Sequence, residues 1–375
     1  MKRKNILRTL IIATLVFSMT ACEKEKNKDT VQESDKSVNI VEDVKQEDAK
    51  QEDLKQDESN SKIVVDKVDR FEKVSITDWL DENTVIASKE NKSLAKMSLA
   101  ELSDQYPTSL YLLDINTKEY QLVKEQKEVL LEGASLSQDN KFMLYHEYYL
   151  GDPVFYVMNQ DTKESFGIMG DPIGGAISAK WADKDTVIGV AYSGGVYIAD
   201  TSGKINLVEE LKEEAIYLVE KINHNIYYTT TDSDSLMKLD MNTKEKVSLN
   251  IEAVYDIIPS PDKKQMLILQ ANGSKVSMIA YDLEGGKKTV ITEGTELHSV
   301  SWSPNQEKIA YSMKEDDNDK AVRSLYIYDL KADKPTIIEL NTEILDTHWS
   351  PLGEKLSYTE WDGSQATSNI VYLKK

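Results

Sequence analysis

The 375 residues carry 65 acidic against 45 basic side chains, a formal charge of −20, with a pI near 4.8 and a mean hydropathy of −0.47. Such a chain repels phosphate backbones, so nucleic acid is excluded as a partner class, and cations, basic peptides or basic protein surfaces are favoured. A single Cys excludes a disulfide framework, and a chain of this length buries a core without one.

Lys2, Arg3, Lys4 and Arg8 precede an apolar run from Leu10 to Phe17, the charged-then-apolar layout of an export signal. The run is too short to remain in a bilayer as a spanning helix. Ser18-Met19-Thr20-Ala21-Cys22 follows and resembles the lipobox of bacterial lipoproteins. That resemblance implies a signal peptide over 1–21, a diacylglyceryl thioether on Cys22, and a protein tethered to the extracytoplasmic face of the cytoplasmic membrane. Multiple acyl chains hold a protein there durably, whereas one chain does not. The competing reading, an ordinary signal peptide, has to put the one Cys of the chain at the lipobox position by chance.

Residues 22–62 read as the lipidated Cys and a disordered, charged spacer. From 23 to 62 there is no Trp, Tyr, Phe, Gly or Pro; 13 acidic and 8 basic residues intermingle, and Lys45-Gln46-Glu47-Asp48 is echoed from Lys50 and from Lys55. Such a segment buries too little apolar surface to offset its ordering entropy. Its expected role is reach through part of a cell wall, which points to a Gram-positive envelope; docking of a basic partner is the other reading. Residues 63–375 keep 52 acidic against 33 basic side chains, a formal −19.

From residue 79 onward one pattern returns: a bulky anchor, a polar turn, then an apolar strand about seven positions after the anchor. Trp302-Ser303-Pro304-Asn305 leading to Ile309-Ala310-Tyr311 is the clearest copy, and Trp79, Trp181 and Trp349 open others. Leu136, Val219 and Pro259 fit the same offset, so anchors are spaced by 57, 45, 38, 40, 43 and 47 residues. That is the length of a small four-stranded antiparallel sheet and the period of a β-propeller. Downstream, apolar runs end in Asp before a polar turn, as at Asp114, Asp200, Asp240, Asp282 and Asp329, where the carboxylate can bond backbone two residues on. The Trp anchors, recurring at one structural position, read as packing between units rather than a sugar-stacking platform.

The predicted fold is therefore an all-β, seven-bladed β-propeller over 63–375, with six blades as the alternative if the unit around Val219 merges with a neighbour. Unit seven runs out of chain after its third strand, and the β-prone residues 63–68 are expected to supply its fourth, closing the ring and removing an open edge. Longer insertions fall between second and third strands, near 90–107, 146–153, 314–322 and 360–368, all on one face, with Ser98-Leu99-Ala100-Glu101 expected to cap a short helix in the first. Long loops on a rigid scaffold are where binding resides.

Trp302-Ser303-Pro304-Asn305, Trp349-Ser350-Pro351-Leu352-Gly353 and Pro259-Ser260-Pro261-Asp262 resemble the TolB-like propeller repeat. The resemblance covers about 310 residues. It implies a structural role for the Ser-Pro turns and, from TolB itself, a protein-interaction hub whose partner peptide enters the mouth of the channel.

Candidate ligand contacts on the channel or loop face are His298, His348, His146 and Asp346. Some propeller lyases hold a divalent metal with channel His residues, but His298 lies four before Trp302 and His348 one before Trp349, so strict alternation sends them to opposite faces. No metal site or other cofactor is expected, and Glu315-Asp316-Asp317-Asn318-Asp319 lacks the spacing of a calcium loop. The leading function is a cell-surface, non-enzymatic module binding a protein, peptide or envelope ligand as a monomer. A metal-assisted lyase or hydrolase of glycans, and an accessory or sensor subunit of a membrane transport or signalling system, are the alternatives.

Overall fold

In the computed structural model the described residues are 63–148, 151–315, 322–340, 342–363 and 365–374; the signal peptide, Cys22 and the spacer lie outside them. These residues are almost wholly β, with two single-turn 3-10 helices, Ala100–Leu102 and Glu209–Leu211. Units one to six each fold as four antiparallel strands in sequence order. Unit six is Glu296–Trp302, Lys308–Lys314, Arg323–Asp329 and Lys334–Leu340. Units one and two are joined by one parallel bridge, Thr108 to Leu130, into a single eight-stranded sheet. In unit seven, Glu343–Trp349, Lys355–Trp361 and Ala366–Leu373 take their fourth strand from Val65–Glu72, which runs antiparallel to Ala366–Leu373 with Val68 opposite Val371.

The turn residues act as their chemistry dictates. Ser303 Oγ donates to Asn305 Oδ1 at 2.7 Å and accepts from Lys308 N at 2.9 Å, closing the hairpin from inside. Ser260, Ser350 and Ser137 accept from Gln265 N, Lys355 N and Phe142 N in the same way. At the third-to-fourth turn, Asp114 Oδ1 accepts from Asn116 N and Thr117 N, and Asp240 and Asp329 repeat this pair of bonds. These bonds take up donors that a tight turn would otherwise leave unpaired.

A single sheet of this kind has two apolar faces, and the core lies between sheets. Among the described residues the buried side chains form seven clusters, each shared by consecutive units. One brings Phe71 and Ile370 of unit seven against Ile76, Trp79 and Leu113 of unit one. Each fully buried Leu or Ile there contributes about 1.5–3 kcal/mol.

Two local expectations are corrected. Ser98 caps no helix: the cap residue of Ala100–Leu102 is Leu99, without a side-chain bond, while Ser98 N and Oγ both donate to Glu128 Oε2 at 2.8 Å and tie the long loop to the connection into unit two. Nor is Val219 the fourth anchor. Ile222 faces Asn225, so the hairpin turns through Asn223 and His224 alone, Asn223 taking φ +56. With the turn shortened, Lys221 stands opposite Ile226, where Trp302 faces Ile309 and Trp349 faces Leu356; Val219 faces Tyr228 instead.

Candidate functional site

The first strand of each unit carries the residues that the repeat holds closest to one another. Four of these strands carry a Trp at or near their end, and its indole Nε1 reaches the preceding unit at one fixed place. Trp349 donates to Ser301 O at 3.2 Å, Trp302 to Ile258 O at 3.4 Å, Trp181 to Ser135 O at 3.1 Å, and Trp79 to His348 O at 3.0 Å. The acceptor is always the residue just before the previous anchor. Each Trp therefore fills the junction between units and spends its one polar atom there.

That position before the anchor is occupied in turn by Asp78, Ser135, Lys180, Glu220, Ile258, Ser301 and His348. On one side of the molecule the charges form a connected set. Lys180 pairs with Glu220, Lys221 pairs with Asp183, and Lys263 Nζ donates to Asp183 Oδ1 and to Ala182 O at 2.8 Å. Burial raises the Glu220 carboxyl above its ordinary range despite Lys180, and burial raises Asp256, opposed by the N–H of Ile257 and by Lys180. Asp183 is held below its ordinary value: burial works against the carboxylate, and the two lysine ammonium groups overcome it.

On the other side, Asp78 accepts from Trp79 N and Leu136 N, both at 2.7 Å, yet burial raises its pKa. His348 Nε2 lies 3.8 Å from Asp346 Oδ2. Burial disfavours the imidazolium of His348, but Asp346 and then Asp78 outweigh it, so the pKa of this His is raised. Ser301 and Thr347 share a 2.6 Å hydroxyl contact beside them.

The predicted opposition of His298 and His348 does not hold. A bulge at Ser299, with φ +54, inserts one residue: His298 faces Ser312, whereas Trp302 faces Ile309, three positions away on the partner strand. His298 therefore lies on the sheet face opposite Trp302, as His348 does relative to Trp349. The two still belong to separate groups. His298 bonds Ser299 Oγ at 2.9 Å, and its pKa is lowered by burial and by Arg323. By register it matches Asp346, since Ser312 and Thr359 are equivalent in their strands. His146 lies away in unit two, 4.0 Å from Glu132 and edge-on to Phe155; Gly133 leaves it room, since a Cβ there would sit 2.4 Å from its ring. Among the described residues no three His, Cys, Asp or Glu are grouped to hold a metal ion.

First strands enter, and second strands leave, at the end that carries the longer loops. At this end Ile177, Tyr192, Tyr217, Leu345 and Trp361 are 41–61% exposed. Tyr217 and Leu345 are the extra residues of bulges in units four and seven, which turn them outward. Trp361 was not singled out from the sequence, because it follows no repeat; its signal was that it is the one Trp of five outside an anchor. It borders a cleft of about 680 Å³ with Lys314, Arg323, Thr342, Glu343 and Asp362.

No family model and no curated protein matches the sequence. Among solved structures, an oligogalacturonate lyase in complex with manganese is 11% identical, with 82% of this chain matched to 98% of that chain at a TM-score of 0.56. The β-propeller domain of Cps50 (Swd1) from Myceliophteria thermophila is 10% identical over 83% of this chain and 100% of that one, with a TM-score of 0.55. TolB from Acinetobacter baumannii is 13% identical over 77% of this chain and 80% of its own, at a TM-score of 0.45. The chain spans only 28% of the tricorn protease, which it matches over 76% of its length with 17% identity and a TM-score of 0.39. The likeness to the lyase and to Cps50 establishes an all-β fold of the propeller type; activity does not follow from it.

Proposed function

We propose that residues 63–375 form one seven-bladed propeller, closed by the pairing of Val65–Glu72 with Ala366–Leu373, that serves as a non-enzymatic binding module for a protein or peptide. In this reading Cys22 carries the lipid, 22–62 is the spacer, and the module stands on the extracytoplasmic face of a bacterial cytoplasmic membrane. The observation that carries the binding role is the contrast between the two surfaces of the first strands. Their polar side chains are largely spent on one another, as in the Lys180–Glu220 and Lys221–Asp183 pairs, while Ile177, Tyr192, Tyr217, Leu345 and Trp361 are exposed at their loop end. Exposed apolar groups rimmed by charge mark protein interaction surfaces.

A metal-assisted lyase is the second reading, favoured by the His348–Asp346 contact and by the manganese named for a similar structure. The donors fit a divalent cation poorly. Asp78 already accepts two backbone N–H groups, and no third ligand joins His348 and Asp346 among the described residues. Thermal unfolding of the full chain with manganese, calcium, glycan fragments and basic peptides separates the readings. The binding module is stabilised by a peptide or by none of these; a manganese-dependent rise in Tm that is lost in His348→Ala supports the lyase instead. The anchor has its own test: Cys22→Ser is expected to move the protein from the membrane to the soluble fraction, and retention contradicts the lipoprotein reading.

A further inference from the structure

Trp361 differs from the other four indoles in what it leaves unused. The anchors spend Nε1 on a neighbouring carbonyl, whereas Nε1 of Trp361 has no partner among the described residues and the residue is 41% exposed. Across the sheet it stands between Glu343 on one side and Ala366 on the other, so a carboxylate flanks the ring and the small Ala leaves it uncovered. The basic groups of the cleft are engaged. Arg323 Nε and Nη2 donate to Glu296 Oε2 at 2.8 and 2.6 Å, and Lys314 Nζ donates to Glu296 Oε1 at 3.2 Å. Arg323 Nη1 lies 3.5 Å from Glu343, close enough to orient that carboxylate without using both its oxygens.

An anionic ligand would therefore meet cations already paired, and would face Glu296, Glu343 and Asp362 within a domain of formal charge −19. A cation meets the reverse: an indole face, whose quadrupole attracts positive charge most strongly among the aromatic rings, with a carboxylate beside it. We infer that the cleft between units six and seven takes a cationic side chain, Lys or Arg, presented by a peptide partner, with Trp361 as the platform and Glu343 as the counter-charge. The inference rests on the peptide-binding reading and names the chemistry of its partner. A volume of about 680 Å³ accommodates such a side chain with part of its backbone.

The test is tryptophan fluorescence of the full chain, titrated with a lysine-containing pentapeptide, the same peptide with its lysines acetylated, and a neutral trisaccharide. The lysine peptide is expected to give a saturable change that weakens as salt rises, with no binding of the other two probes. Trp361→Ala is expected to lose about tenfold in affinity, followed by anisotropy of a labelled peptide, and Trp361→Phe less, as its ring attracts cations more weakly. Glu343→Gln leaves the indole in place and should weaken binding several-fold. Equal binding of the acetylated peptide, binding of the trisaccharide in its place, unchanged affinity in Trp361→Ala, or no saturable change with any probe overturns the inference. None of these results removes a partner bound elsewhere on the loop face, which is detected separately by crosslinking.

Discussion

At the anchor position of the first strands, units six, seven and one meet through indoles and hydroxyls, with one further ion pair, Lys355 to Glu82, in the turns beyond, whereas units three, four and five meet there through charges. In the first group Trp349 and Trp79 each bridge to the preceding strand, and Ser301, Thr347 and His348 fill the space beside them. In the second, Lys221 occupies the anchor position, and Asp183 receives both Lys221 and Lys263. Both solutions fill the same junction. The repeat thus fixes a position and a volume but not a chemistry: an indole gains apolar burial, while an ion-pair set must offset its own desolvation with good geometry.

The largest losses of stability are expected at the aromatic junctions. Trp349→Ala is expected to cost about 3–5 kcal/mol, because it opens a cavity and leaves Ser301 O without its donor. Chemical denaturation reads this directly; a loss below about 1 kcal/mol would mean that the indole is peripheral. At the charged junction Asp183→Asn is expected to cost less, about 1–2 kcal/mol, since the side chain is 34% exposed and solvent screens the pair. Its loss should shrink as salt rises, which the Trp349→Ala loss should not. Equal salt dependence in the two variants would remove the distinction.

A smaller effect is expected through pH. The His348 pKa is raised above the ordinary 6.5, so the folded chain holds this proton more tightly than the unfolded chain. Its contribution to stability is fully present below about pH 6.5 and is lost as pH rises through the folded value. The stability gap between the native chain and His348→Asn is therefore expected to narrow on going from pH 6 to alkaline solution. A gap that widens reverses the sign and contradicts the pairing with Asp346. Least of all, Tyr217→Ser and Leu345→Ser should leave stability within about 0.5 kcal/mol while removing contact surface for a partner.

These two kinds of junction also explain what was legible in the sequence. Trp302-Ser303-Pro304 and Trp349-Ser350-Pro351 are local: anchor, turn hydroxyl and next strand lie within ten residues, so period and turn chemistry can be read directly. At unit four a shorter turn moves the anchor position onto Lys221, which is not apolar, and leaves Val219 as the nearest residue that fits the apolar pattern. The misreading of His298 has the same root, since strict alternation cannot anticipate the residue inserted at Ser299. The partners of Asp183, 38 and 80 residues away, have no local signature, because they depend on which units come to lie side by side.

In the proposed function the loop-bearing end, and not the opposite end, is the binding surface. A photoreactive residue placed singly at Tyr217, at Leu345 or at Leu352 in the membrane-anchored chain tests it most directly. Leu352 is a suitable control because it is 58% exposed in a first-to-second-strand turn at the other end. Irradiation in cells is expected to give a discrete crosslinked species from positions 217 and 345 and none from 352. Crosslinking from 352 alone, equal crosslinking from all three, or no species from 217 and 345 would contradict the account.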